Sequence, residues 1–174
     1  MGEHTRGSAV LTLEGAEAAL AAALAYAREH DLRMNVAVVD PGGTLLAFAR
    51  MDGAFAASGE IAIDKARTVV RFGGAPTSGL YEALAGEDAV IRGIGNRPGV
   101  AAFGGGVPVR VDGELVGAVG ASGGSAGEDE QVAAAGAVAI TATSPRGVRQ
   151  PGPGSGSAVP RSARGRPRRI ARGG

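Results

Sequence analysis

The chain has 174 residues and a formal net charge of +1, with no cysteine. That length fits one domain and an extension, and a body of ~140 residues buries roughly two-thirds of its unfolded surface without a disulfide or a metal. Disulfide frameworks, thiolate zinc sites, iron–sulfur clusters and a cysteine nucleophile are excluded.

The charge is unevenly placed. Residues 1–142 carry all 17 acidic residues and 10 basic ones, a net −7, whereas residues 143–174 carry eight arginines and no acid. The start, MGEHTRGSAV, is polar. No run approaches the ~18 apolar residues a membrane helix needs. These features predict a soluble, cytoplasmic protein without a membrane partner.

In chain order, residues 14–29 are alanine-rich, with Ala16, Leu20, Leu24 and Ala27 at helical spacing and Thr12 placed to cap the start. MNVAVVD (34–40) and TLLAFAR (44–50) read as two strands joined by the Pro41-Gly42-Gly43 turn. Residues 59–72 form an amphipathic helix, with Ser58 as cap, an apolar stripe (Ala62, Ala66, Val69, Val70) and a charged one (Glu60, Asp64, Arg67, Arg71). A short helix over 78–85 and a loop over 86–99 follow. Then come three strands: GVAAF (99–103), VPVRV (107–111) and ELVGAVGA (114–121). Asp112-Gly113 marks a type I′ hairpin turn between the last two. Ser125 and Glu128 form a capping box that opens a helix to about Ile140. Tight turns between consecutive strands make the sheet antiparallel and the class α+β.

Residues 143–174 lack periodicity and hold five of the nine prolines. They read as a disordered Arg/Pro/Gly-rich tail, and residues 1–8 as a flexible start, on either side of one domain over 9–142. The composition of the tail also fits translation of a GC-rich frame out of register.

Several residues carry candidate chemistry. Asp40, before the turn, either caps it or serves as a pocket carboxylate. Lys65 is the lone lysine among 17 arginines, and Thr68 shares its helical face. Together they are placed to hold a carboxylate, unless Lys65 is a solvated residue paired with Asp64 or Glu60. Phe103 precedes Gly104, Gly105 and Gly106, a run that allows close backbone approach, either to a ligand or within a tight loop. Gly120-Ala121-Ser122-Gly123-Gly124 matches the serine-hydrolase elbow, but no histidine follows it. Ser122 is instead assigned to local or ligand hydrogen bonding. His30 ends the first helix and is either a surface residue or a metal ligand, and His4 lies in the mobile start. Phe72 and Phe103 are core residues or ring contacts for a planar ligand. Aromatic and basic residues do not interleave, so specific nucleic-acid binding is not expected.

The segments VAVVDPGGTLLAFARMDGA (36–54), EIAIDKARTVVRFGGAPTS (60–78), FGGGVPVRVDGELVGAVGASGG (103–124) and EDEQVA (128–133) resemble the GlcG/HbpS family in order and spacing. That family includes haem-binding proteins and the C-terminal domain of PduO-type cobalamin adenosyltransferases. The resemblance covers roughly residues 9–141. It implies a profilin-like three-layer domain with a central antiparallel five-stranded sheet flanked by helices. It also implies a homo-oligomer with a small-molecule pocket near subunit contacts, haem being the expected cofactor. Two alternatives stand beside a haem-binding protein: an acid–base enzyme acting on a small hydroxy or oxo acid through Lys65 or Asp40, and a ligand-free accessory oligomer.

Overall fold

The computed structural model describes residue 4 and residues 7–143. The element order is α1 (Leu13–Glu29), β1 (Asn35–Val39), β2 (Leu45–Arg50), α2 (Ser58–Arg71), α3 (Thr77–Leu84), α4 (Asp88–Gly95), β3 (Gly106–Val111), β4 (Glu114–Ser122) and α5 (Ala126–Thr143). The expected flexible start lies mostly, and the expected disordered tail almost wholly, outside the described residues.

Helix α1 begins where Thr12 accepts a hydrogen bond from the Gly15 amide at 3.1 Å, and it ends at His30. Its buried face is all alanine: Ala16, Ala19, Ala23 and Ala27. Small side chains let α1 lie close against α5, where a Cβ on Gly136 would sit 2.8 Å from the Ala19 carbonyl oxygen. A larger residue at any of these contacts would separate the two helices.

The sheet has four strands in the order β2-β1-β4-β3, every neighbouring pair antiparallel. Two hairpins, β1–β2 and β3–β4, are joined through β1 and β4, which form the buried centre. The second hairpin turns at Asp112 and Gly113 with φ of 50° and 84°, the paired positive values a type I′ turn requires. Val36, Val38 and Val119 face α1 and α5 and build the main core. Val39 and Ala118 point to the other side, where they pack with Ala66 and Val69 of α2. Period-two alternation along the central strands thus supplies both layers of helix with an apolar surface.

Three expectations need correction. The sheet is four-stranded, not five-stranded, because GVAAF (99–103) is not a strand. That segment runs beside α2, and the Ala101 amide donates to Thr68 Oγ1 at 2.9 Å instead of to a neighbouring strand. The stretch expected as loop contains α4, in which Asp88 and Arg92 form an i,i+4 pair at 3.2 Å and Asn96 closes the end through its bond to the Arg92 carbonyl. Ser58 does not cap α2: the cap position is Ala57, with no side-chain bond, and Ser58 is buried in the first turn.

Candidate functional site

Lys65 is fully buried. Helix α2 crosses β4 at Gly120, where a Cβ would collide with the Ala62 carbonyl oxygen. That close crossing drops the helix onto the sheet and turns Lys65 towards the end of β4. Its Nζ donates to Asp129 Oδ2 at 2.6 Å and to the Ala121 carbonyl at 3.1 Å. It also lies 4.7 Å from the centre of the Phe103 ring. The ammonium therefore faces a carboxylate, a carbonyl and an aromatic face. Burial lowers the Lys65 pKa from its ordinary value, and the bond and charge of Asp129 act against that shift. A solvated lysine paired with Asp64 or Glu60 is excluded by this geometry.

Asp129 sits in the first turn of α5, and its Oδ1 accepts from the Gly124 amide at 2.9 Å. Since α2 and α5 cover opposite faces of the sheet, the ion pair fastens the two helical layers to each other around the end of β4. Beside it, Ser125 and Glu128 form the reciprocal box expected from sequence, at 2.8 and 3.3 Å.

The three glycines lie in the same place. A Cβ on Gly105 would sit 2.7 Å from both Lys65 Nζ and the Ala121 carbonyl, and one on Gly106 would sit 2.6 Å from the Lys65 carbonyl. Gly104 is pressed against the Ala126 carbonyl and the Glu130 carboxylate. Gly105 has φ +122°, a region side chains rarely enter. The bend is held by Gly106 donating to Thr77 Oγ1 at 2.9 Å and by the Ala121 amide donating to the Gly105 carbonyl at 2.8 Å. The close neighbours of all three glycines are atoms of this same chain.

Lys65, Phe103, Gly104, Gly105 and Gly106 are thus brought together as one group, and Phe103 remains 49% exposed above it. Thr68 is buried, one turn further along α2, and its hydroxyl is bound by the Ala101 amide. It does not share a partner with Lys65. Phe72 ends α2, about two turns from Lys65, and is partly exposed. Asp40 caps its turn, accepting from the amides of Gly42 and Thr44 at 2.8 and 2.9 Å. The neighbouring Gly43 carbonyl accepts from Arg67, two residues beyond Lys65 on α2, at 3.1 Å. Ser122 is buried opposite Asn35 in the β1–β4 register.

His30 is exposed, stacks on Tyr26 with ring centres 4.0 Å apart, and has Nδ1 2.8 Å from the Tyr26 carbonyl. In that bond Nδ1 is the donor, because a carbonyl oxygen can only accept. His4 is exposed. Among the described residues no group of three or more His, Cys, Asp or Glu is placed to hold a metal ion, and no helix is long and apolar enough to cross a membrane.

Two residues escaped the sequence reading. Asp129 was hidden in the acidic run Glu128-Asp129-Glu130, although Val132, Ala133 and Gly136 follow it at the spacing of one buried helical face. Asn35 opens β1, donates to the Phe55 carbonyl at 2.9 Å, and has a buried Oδ1 without a protein partner. Every residue of β1 is buried, on one face of the sheet or the other, so its position in the strand says nothing of its bonds.

The chain is 37% identical to Protein GlcG of Escherichia coli K12 over 114 residues, 65% of this chain and 81% of that protein. Its fold matches a double mutant of Streptomyces reticuli HbpS at a TM-score of 0.70 with 37% identity, covering 79% of this chain and 92% of the other. It also matches the crystal structure of a PduOC–haem complex at a TM-score of 0.64 with 29% identity, covering 75% and 94%. The family model described as haem degrading protein HbpS-like matches residues 11–138, so this chain, with its four-stranded antiparallel sheet between helices, belongs to the HbpS-like family.

Proposed function

We infer that this protein binds a small planar or anionic ligand, haem foremost, on the surface formed by Phe103 and the bend that follows it, in an assembly of several copies. The observation that carries the reading is the half-exposed Phe103 ring, whose inner side rests on a buried ammonium. An aromatic ring left open to solvent and fixed from beneath offers a planar ligand a preorganised face. The haem complex of the PduOC neighbour supports haem as that ligand.

The side chains present fit this group in part. Lys65 is committed to Asp129 and Ala121, so it is not available to a propionate and acts instead by positioning the ring. His30, an imidazole of the kind haem iron most often takes, is exposed at the end of α1 against Tyr26 and is not among the residues gathered around Phe103. When bound, haem would supply redox and dioxygen chemistry at its iron. This chain's own residues bind and orient it.

Titration of haem into the full-length protein, followed by the Soret band, tests the reading. A shifted band at micromolar protein is expected. Phe103→Ala should weaken binding roughly tenfold, the order of an aromatic contact of ~1 kcal/mol, and Phe103→Tyr should restore it. No Soret shift, or equal affinity in Phe103→Ala and the parent, would overturn it.

The lowered pKa of Lys65 and its carboxylate partner favour one second reading, an acid–base enzyme for a small hydroxy or oxo acid. Solvent-proton exchange into 2-hydroxy and 2-oxo acids, followed by NMR, separates the two. Exchange that disappears in Lys65→Met would support the enzyme, and a lack of exchange would remove it.

A further inference from the structure

Strand β2 is an edge of the sheet. Its inner side is paired: Asn35 stands opposite Arg50, and the Met51 amide donates to the Met34 carbonyl at 3.0 Å. Bonded and unbonded pairs alternate along an antiparallel ladder. Phe48 and Arg50 therefore turn their backbone N–H and C=O groups away from β1. Among the described residues no strand pairs with that outer side.

The face of β2 on the side of α2 is also open. Phe48 lies opposite Ala37 and Leu45 opposite Val39, and the irregular register between Val38 and Val39 brings both side chains onto this face. Helix α2 packs on β1, β4 and β3, and it meets β2 where the Phe48 ring lies against Gly59. Phe48 stays 40% exposed, and Phe55, just before α2, 70%. The two edges of the sheet differ. On β3, Pro108 lacks an amide and Arg110 brings charge into the strand, two features that keep a free edge from pairing. Strand β2, LLAFAR, has no proline and one charge, at its last residue. An apolar edge of this kind is a template for another strand.

We propose that the strand it takes is β2 of a second copy of this chain, paired antiparallel about a two-fold axis beside Phe48. The Phe48 amide of each copy donates to the Phe48 carbonyl of the other, and the two sheets become one. Self-pairing suits this strand because both edges present the same row of donors and acceptors. The two Phe48 rings meet across the axis on one face. The strand's single charge does not oppose itself: each Arg50 comes to the start of the partner strand, whose turn carries Asp40. The pairing rests on the reading of several copies given above, but not on haem, since Phe103 precedes β3, the opposite edge of the sheet.

Sedimentation equilibrium and single-cysteine cross-linking of the full-length protein test this. The parent is expected to be a dimer, or a multiple of one, at micromolar concentration. Phe48→Lys sets like charges across the axis and removes the ring contact. It should weaken association roughly tenfold or more while keeping the parental far-UV spectrum. The chain has no cysteine, so Phe48→Cys reports on this contact alone. Paired Cα atoms about 5.5 Å apart lie within disulfide range, and oxidation should link the two copies. Val138→Cys, 61% exposed on α5, should link far more slowly. A monomeric parent, parental association in Phe48→Lys, or equal linking through Val138→Cys would overturn the proposal. Soret titration of the same samples separates the two readings: a dimer without a Soret shift removes haem alone, and a Soret shift in a monomeric parent removes this pairing alone.

Discussion

A lysine beneath a protein surface must be paired, because an isolated buried ammonium costs several kcal/mol. Lys65 meets that demand with one carboxylate, one carbonyl and one ring face. Asp129→Asn keeps the shape and removes the charge, leaving Lys65 buried and uncompensated. Urea denaturation should show a loss of about 3–5 kcal/mol. Lys65→Met/Asp129→Leu removes both charges and should recover most of that loss, since an apolar pair of similar volume needs no desolvation. Equal destabilisation of the single and double variants would show that the pair acts through packing alone. The single-lysine pattern, legible in sequence, singled out Lys65. Its partner and its burial were not legible, because the contact joins positions 64 residues apart.

At the scale of the element, glycine decides how closely helix and strand approach. Gly120→Ala is expected to destabilise by roughly 1–3 kcal/mol or more, because its Cβ meets the backbone of α2 at Ala62, which cannot move aside alone. The same change at Gly113, where only the positive φ of the turn resists it and open space lies around, should cost less. Chemical denaturation of the two variants compares them directly. The start of α5 makes a pH prediction. The Ser125 amide and hydroxyl partner hold the Glu128 carboxyl below its ordinary value of 4.5. The capping contribution is therefore present above that value and is lost as pH falls through the depressed folded pKa. Ser125→Ala keeps the amide and removes only the hydroxyl, so the Glu128 titration, followed by carboxyl NMR, should move part of the way back towards 4.5, and an unchanged titration would remove the hydroxyl as a cause and leave the amide. The helices and hairpins with strong local signals were readable, including the Thr12 cap, the Asp112-Gly113 turn and the Ser125 box. The GVAAF segment was misread because β-branched and aromatic residues fit a strand and a half-buried connection equally well. Helix α4 was misread because glycine and proline outweighed its apolar spacing.

At the scale of the whole molecule, the described residues fall within one compact unit, and all the core residues described above lie within it. A chain stopped after Ser144 is expected to melt at the same temperature as the full chain by calorimetry, and a large drop would show that the tail belongs to the folded body. Sequence by itself determined the α+β class, the two hairpins and the family. Those depend on hydrophobic period, turn chemistry and motif order, which are local or additive along the chain. Only the tertiary structure decided that Lys65 is buried against Asp129 and that Asp40 and Thr68 are bound elsewhere. Such pairings arise when distant segments are packed at a particular distance and angle, and no local pattern in the chain encodes that geometry.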